Sequence, residues 1–496
     1  MRLTLHQPSV LRLALSALAV VTVLRLIIAA MLPVTPDEAY YWTWSRHLQA
    51  GYLDHPPMVA LWIRSGTALF GNNGFGIRVA GPLAAALGTL LIGFATRDFM
   101  DVRGAQTVTG KSDCVGPPVI AGTLLNATLA VGLGAVTMTP DTPLLFFMAV
   151  FLAALGRLVV TGNGYWWLVA GIAAGLGFDS KYTMLLPVAG VGVWCLFSRP
   201  GRQWLKTIQV WLGVLLATGC VMPVLWWNET HGWASFIRQG GRTGDWRPER
   251  ALQFLGELTG GQIGLLTPGV FALCAMALWK AVRSQEQTDR LLLAIIGVPL
   301  LVFVQHALGD RVQANWPVLI YPALAVLTAL TASRGWRAAA CLGFALGVLV
   351  LIQALTSVLP LNRHLDITLR QGGGWPEFVR DVSVQSRGAA FIASDDYGLA
   401  SELALRMRHG TVLGSDPRWR LFDLPEFHCE TGRGVLIRNA RRDFPLQSAW
   451  PGFVSRGQTL IRAGHGREAE SYILYWVNCP LSTAVSKDLR QLPATY

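Results

Sequence analysis

Long apolar runs separated by short polar turns fill roughly the first 360 residues, and the remainder alternates apolar and polar positions as a water-exposed domain does. A helix needs about 20 apolar residues to cross the hydrocarbon core of a bilayer. Runs of that order lie near 10–32, 75–97, 116–136, 141–160, 165–179, 183–198, 207–227, 262–281, 290–308, 313–331 and 336–358, which predicts about eleven transmembrane helices. The runs at 165–179 and 183–198 are the shortest of them. The first run is too long for a signal-peptide core and no small-x-small cleavage signal follows it cleanly, so it is expected to stay as an anchor. In the tail, 389–393 reads as a buried strand, 394–396 as a turn or helix cap, and 397–407 as a helix. The expected fold class is therefore an α-helical polytopic membrane protein, with a membrane domain over 1–360 and a small α/β domain over 361–496.

Basic residues beside a span resist translocation, so their placement sets orientation. With the N-terminus in the cytoplasm, Arg2 and Arg12, then Arg97, Arg103 and Lys111, Arg157, Arg199 with Arg202 and Lys206, Lys280 with Arg283 and Arg290, and Arg334 with Arg337 all fall on the cytoplasmic side. An odd number of spans then places the tail outside, together with two long loops at 33–74 and 228–261. Loops of that length are commonly functional.

Composition supports this picture. Of the residues 52% are hydrophobic and 14% charged, against about 25% charged in a soluble protein. The net charge of +12 sits in short clusters between apolar runs, where topology explains it and a nucleic-acid partner is not needed. The 19 Trp and 52 Gly suit interface anchoring and close helix packing; Gly171 and Gly175 have a spacing fit for helix contact. The seven cysteines show no metal-type spacing. Cys195, Cys220, Cys274 and Cys341 read as small hydrophobes, whereas Cys429 and Cys479 can pair if the tail lies outside the cytoplasm.

Candidate chemistry collects in the external segments. Thr35-Pro36-Asp37-Glu38 begins a helix with two carboxylates in its first turn. Those acids either complement the helix dipole or present Asp37 as a base just outside the lipid, with Tyr40, Tyr41, Trp42 and Trp44 laying the helix on the membrane surface. Asp54-His55-Pro56-Pro57 puts a carboxylate beside an imidazole at the start of another helix, either as a cap with a solvated histidine or as cation or phosphate ligands. Asp141 sits in Thr139-Pro140-Asp141, where an acid is expensive to keep near lipid. Lys181, in Asp179-Ser180-Lys181-Tyr182, either pairs with Asp179 or holds a phosphate. Arg311 and Asn315 occupy one further external turn, with Arg311 suited to bidentate phosphate contact. Asp37, Asp54, His55, Asp141, Lys181, His231, Arg242 and Arg311 all map to one membrane face under this topology, which favours a shared site. Within it, Glu38, His55, Lys181, Tyr182, Arg242, Arg311 and Asn315 are the expected substrate contacts.

The string PDEAYYWTWSRHLQAGYLDHPP, with MTPDTPLLFF at 138–147, FDSKYTMLL at 178–186, HGWASF at 231–236 and NWPVLIYPAL at 315–324, resembles the bacterial dolichyl-phosphate-mannose-protein mannosyltransferase-like family. That family includes lipid A aminoarabinose transferases and polyprenyl-phosphate-dependent galacturonosyl- and galactosaminyltransferases. The match extends over about 1–330, and IASDDYGLASELAL at 392–405 is similar to the family's external domain. The resemblance implies a GT-C fold in a bacterial inner membrane, a polyprenyl-phosphate sugar donor, a lipid A or lipopolysaccharide-core acceptor, and Asp37 as the catalytic carboxylate with Asp141 as a second acid. It implies Asp54 and His231 as ligands of a divalent cation (Zn, Mg or Mn). Where the aminoarabinose branch has a lysine after that acid, this chain has His55. Competing expectations are a protein O-glycosyltransferase of the same fold, a transporter or flippase of a lipid-linked saccharide, and a scaffold presenting the tail. Transporters concentrate ionisable groups near the bilayer midplane, whereas here they gather in loops and at helix ends.

Overall fold

The computed structural model describes residues 8–103, 116–241, 246–331, 335–407, 409–427, 432–441, 450, 452–479 and 489–494. The chain divides into two compact units: Met1–Ile28 with Asp54–Val59 and Val79–Leu349, and Ala29–Leu53 with Ala60–Arg78 and Val350–Tyr496.

The first unit is helical. Among the described residues, six helices are long and apolar enough to span a bilayer: Val10–Met31, Gly74–Arg103, Asp141–Thr161, Ile208–Thr230, Gln287–Ala307 and Trp336–Thr356. A seventh is counted if Pro248–Leu266 and Pro268–Val282, bent by 110° to each other, form one broken span. The bend falls at Thr267, a non-glycine residue at φ +70° immediately before Pro268, where proline disfavours helical backbone for its predecessor.

The eleven spans expected from hydropathy are not confirmed, because several of the apolar runs form shorter helices among the described residues. Trp166–Phe178 and Leu185–Phe197 have 13 residues each, about 20 Å of helix against a hydrocarbon core of about 30 Å. The run at 116–136 splits into Pro117–Asn126 and Leu129–Gly134. Thr128 makes the break: its hydroxyl accepts the Val131 amide at 3.2 Å and so begins a new helix. Beside it Asn126 accepts from buried Arg25 at 2.7 Å and donates to Thr89 at 2.8 Å, a polar strut across an apolar bundle.

Asp141–Thr161 packs between Ala80–Arg103 and Trp166–Phe178, and the latter packs on Ile208–Thr230. Gly171 and Gly175 lie on that last contact: a Cβ at Gly171 would run into the Gly213 carbonyl, and one at Gly175 would lie 2.6 Å from Cys220 Cβ. The pair therefore sets the approach of the two helices.

The second unit joins the first-loop helix Pro36–Arg46 to the tail. The expected α/β domain is present there. Its described strands are β1 (Ile392–Ser394), β2 (Val412–Gly414), β3 (Arg433–Asn439), β4 (Phe453–Gly464), β5 (Arg467–Asn478) and β6 (Arg490–Gln491). They form a mixed sheet in the order β4-β5-β3-β1-β2-β6, with β1 parallel to β2 and β3 and the remaining pairs antiparallel. Phe391, Ala393, Leu413, Leu436, Trp450 and Val477 fill its core. Asp396 caps the Tyr397–Arg406 helix by accepting the Leu399 amide at 2.9 Å, as the cap at 394–396 required. Cys479 is disulfide-bonded, and Cys429, its expected partner, lies outside the described residues.

The aromatic residues of Pro36–Arg46 do not form a surface belt. Trp42 and Trp44 are fully buried and Tyr40 is nearly so. Tyr40 packs on Tyr397, Trp419 and Phe422 with ring centroids 4.6 to 6.0 Å apart, and Trp44 stacks on Tyr52 at 4.2 Å. The helix is thus a core element of its unit, its rings removed from water by protein.

Candidate active site

In the helical unit, the start of Asp141–Thr161 brings three expected site residues together. Lys181 Nζ donates to Asp141 Oδ1 at 2.7 Å, and Asn315 Nδ2 donates to Asp141 Oδ2 at 2.8 Å. The side chains of Lys181 and Asp141 are 6% and 15% exposed, so this charge-assisted contact is shielded from water. The carboxylate also lies in the first turn of its helix, at the positive end of the dipole. Lys181 therefore pairs across the bundle with Asp141 and not with its sequence neighbour Asp179. The Asp179 carbonyl instead accepts the Met58 amide at 3.0 Å, pinning the start of Met58–Phe70 and, just before it, Asp54 and His55.

Tyr182 heads a second chain of contacts. Its hydroxyl lies 2.7 Å from Ser235 Oγ, which donates to Asn228 Oδ1 at 2.7 Å. The turn that delivers Ser235 uses two successive left-handed residues, Gly232 at φ +63° and Trp233 at φ +59°. A non-glycine residue rarely adopts that backbone, and here the Trp233 amide is held by the Asn228 carbonyl at 2.6 Å.

The same loop reaches the first one. Gln239 Nε2 donates to the Asp54 carbonyl at 2.6 Å, and Arg238 Nε lies 3.7 Å from Asp54 Oδ1. His55 is half-buried beside Asp54. Arg311 pairs with Glu257 at 2.6 Å while its side chain stays 69% exposed, at a cleft of about 470 Å³ also lined by Asp310, Gln313 and Trp316. Arg242 lies outside the described residues.

Asp54 and His231, the expected cation ligands, each have contacts of their own. His231 stacks on Trp227 at 4.2 Å, and its Nδ1 lies 2.8 Å from the Trp227 carbonyl. A carbonyl can only accept, so Nδ1 carries the proton and the neutral ring's lone pair is on Nε2. Asp54 faces Arg238, and among the described residues no three His, Cys, Asp or Glu side chains gather as a cation site requires.

Asp37 and Glu38 belong to the other unit. Thr35 caps their helix in a reciprocal box, its hydroxyl accepting the Glu38 amide while Glu38 accepts the Thr35 amide at 3.0 Å. Glu38, expected to touch substrate, is instead fully buried, with both oxygens gripped by the equally buried Arg78 at 2.6 and 2.5 Å. Arg78 spends its remaining donors on the carbonyls of Ala29, Leu32 and Pro33. Capping and charge pairing thus engage both oxygens of the Glu38 carboxylate. Asp37, one residue earlier, points to the exposed side, where Tyr397 donates to its Oδ1 at 3.2 Å.

Sequence reading missed Ser235, Asn228, Arg238, Glu257 and Tyr397. Ser235 meets Tyr182 from 53 positions away and Tyr397 meets Asp37 from 360, and no local spacing announces such contacts.

The expected architecture is present: a multi-span bundle with carboxylates at helix starts, and a mixed-sheet domain. Comparison with known proteins agrees. Residues 54–227 match the family described as dolichyl-phosphate-mannose-protein mannosyltransferase. The chain is 26% identical over 414 residues to the lipid A galacturonosyltransferase RgtD of Rhizobium johnstonii, covering 79% of this chain and 81% of that protein. It is 26% identical over 215 residues to undecaprenyl phosphate-alpha-4-amino-4-deoxy-L-arabinose arabinosyl transferase 2 of Pseudomonas fluorescens, covering 40% and 36%. The crystal structure of ArnT from Cupriavidus metallidurans bound to undecaprenyl phosphate superposes with a TM-score of 0.60 at 15% identity, over 94% of this chain and 97% of that one. The apo form gives the same TM-score. The chain thus shares the fold of this membrane protein, and these comparisons support the resemblance read from the first-loop motif.

Proposed function

We propose that this protein transfers a sugar from a polyprenyl-phosphate donor to lipid A at the outer side of the bacterial inner membrane, inverting the anomeric carbon. The observation that carries the reading is Asp37: an exposed carboxylate in the first turn of a capped helix, in a chain whose fold follows that of ArnT almost end to end. The named activities of RgtD and of the arabinosyl transferase support the donor and acceptor classes. The reading places the N-terminus in the cytoplasm and the tail in the periplasm, supported by the basic clusters between spans.

In this reading the acceptor hydroxyl oxygen attacks the anomeric carbon as the bond from that carbon to the phosphate oxygen breaks. The bonding pair leaves with polyprenyl phosphate, and the hydroxyl proton passes to Asp37. One displacement inverts the centre. The leaving phosphate is already anionic, so it needs cationic stabilisation more than a proton. Lys181, fixed by Asp141, and the exposed Arg311 are the residues of this chain suited to that role.

Mass spectrometry of lipid A from a deletion strain and its complement tests the reading. Loss of one sugar mass on deletion, restored by the wild-type chain and not by Asp37→Asn, is expected; the mass separates a hexuronic acid from an amino-pentose. Unchanged lipid A on deletion, or full modification by Asp37→Asn at normal abundance, would refute it.

A further inference from the structure

We propose that Tyr397 is a positioning residue for Asp37, so that the tail domain supplies part of the catalytic apparatus. This rests on Asp37 being the base that takes the acceptor proton.

The contact is built from both sides. Tyr397 opens the Tyr397–Arg406 helix, whose start is fixed by the Asp396 cap. Its ring is held between Tyr40, with centroids 4.6 Å apart, and the Arg418 guanidinium, 4.0 Å from the ring centre. Arg418 is in turn steadied by Asp416 at 3.2 Å. The helix start lies hard against the helix that carries Asp37: a Cβ at Gly398 would come within 2.8 Å of Pro36 Cβ. At the other end of the same helix, Arg406 donates to the Val34 carbonyl at 3.2 Å and pairs with buried Glu402 at 2.7 Å. The tail helix is thus clamped at both ends onto the segment around 34–40, and the Tyr397 hydroxyl meets Asp37 Oδ1 at 3.2 Å as a consequence.

The chemistry of that contact suits a base. A phenol hydroxyl donates to a carboxylate and favours its ionised form, the form that can accept a proton. A cation over the ring face draws electron density from the phenol and strengthens the donation. The bond also fixes rotation of the carboxylate, and small errors in the placement of a catalytic group are costly in rate. Packing alone would be served equally well by phenylalanine, whose ring keeps both the Tyr40 and the Arg418 contacts.

Tyr397→Phe therefore isolates the hydroxyl. Purified full-length protein is assayed with undecaprenyl phosphate-linked galacturonic acid or 4-amino-4-deoxy-L-arabinose, whichever the wild type turns over, and with lipid A. The same variants are compared in the deletion strain at matched abundance, by the rate of lipid A modification. The expected result is a fall in kcat, and in the cellular rate, of about tenfold or more, with KM for donor and acceptor within about twofold and thermal unfolding unchanged. A kcat within about twofold of wild type, or a loss matched by lower thermal stability or raised KM, would overturn the positioning role. Asp37→Asn, run alongside, separates the two claims: turnover in that variant removes the base itself, whereas an inactive Asp37→Asn beside a fully active Tyr397→Phe removes only the inference.

Discussion

Lys181 illustrates how far a single residue can be read. Its sequence neighbour Asp179 offers a ready partner, yet the ammonium reaches Asp141, 40 positions away, which also holds Asn315. Sequence could mark Lys181, Asp179 and Asp141 as unusual, because charges are expensive beside lipid; it could not say which charge meets which, since that depends on how helices pack. The pairing gives a test. Lys181→Met removes the cation expected at the leaving phosphate, and kcat for sugar transfer should fall by about 10²-fold or more. Asn315→Ala, which leaves the ion pair in place, should cost less. Steady-state kinetics on the two purified variants checks the order, and equal effects, or none, would remove Lys181 from that role.

The Pro36–Arg46 helix shows the same division one level up. Its start was legible in Thr35-Pro36-Asp37-Glu38, because a cap residue, proline at the first position and acids in the first turn are local requirements of helix ends. Its four aromatic residues suggested a membrane surface, but all four are buried, Tyr40 against Tyr397, Trp419 and Phe422 and Trp44 against Tyr52 and Phe422. A ring buries as well against protein as against lipid, and composition cannot separate the two. The Glu38–Arg78 pair locks this helix to the segment behind it. Arg78→Leu would leave a buried carboxylate unpaired and should destabilise the protein by about 3–5 kcal/mol. Arg78→Lys keeps the charge but loses the planar fork and should still be destabilised. Thermal unfolding of both variants in detergent provides the measurement, with wild-type stability in Arg78→Lys counting against the bidentate grip.

At the scale of the whole molecule, the tail unit carries a pH dependence of its own. Burial is the largest influence on Glu402 and, despite Arg406, pushes its carboxyl up from the ordinary 4.5 to about 7. The folded state then binds more protons than the unfolded state between about pH 4.5 and 7, so stability is greatest below that window and falls as pH rises through it, by at most about 3 kcal/mol. Asp366 is held below its usual value by Thr368, the Leu369 amide, Gln353 and Arg467, against its own burial, which opposes them. Its stabilisation is lost only on acidification below about pH 4, outside the window set by Glu402. Unfolding temperatures measured from pH 5 to 8 should therefore decline in the wild type and stay flatter in Glu402→Gln; parallel curves would show that Glu402 does not titrate there.

The sequence by itself determined the solvent of this protein, its class, its cap positions and the short menu of acids and cations that carry chemistry. Those features are written in local composition, or in ordered motifs that survive without knowledge of packing. Only the tertiary structure decided where the apolar runs break into helices, because a hydropathy run does not reveal that Thr128 restarts a helix or that two of the runs form helices of 13 residues. It alone separated Asp37 from Glu38, adjacent residues of the same charge, by turning one outward and burying the other on Arg78. It alone joined Tyr397 to Asp37 across 360 positions, since such contacts are set by which faces of distant helices meet, and no period in the chain encodes that meeting.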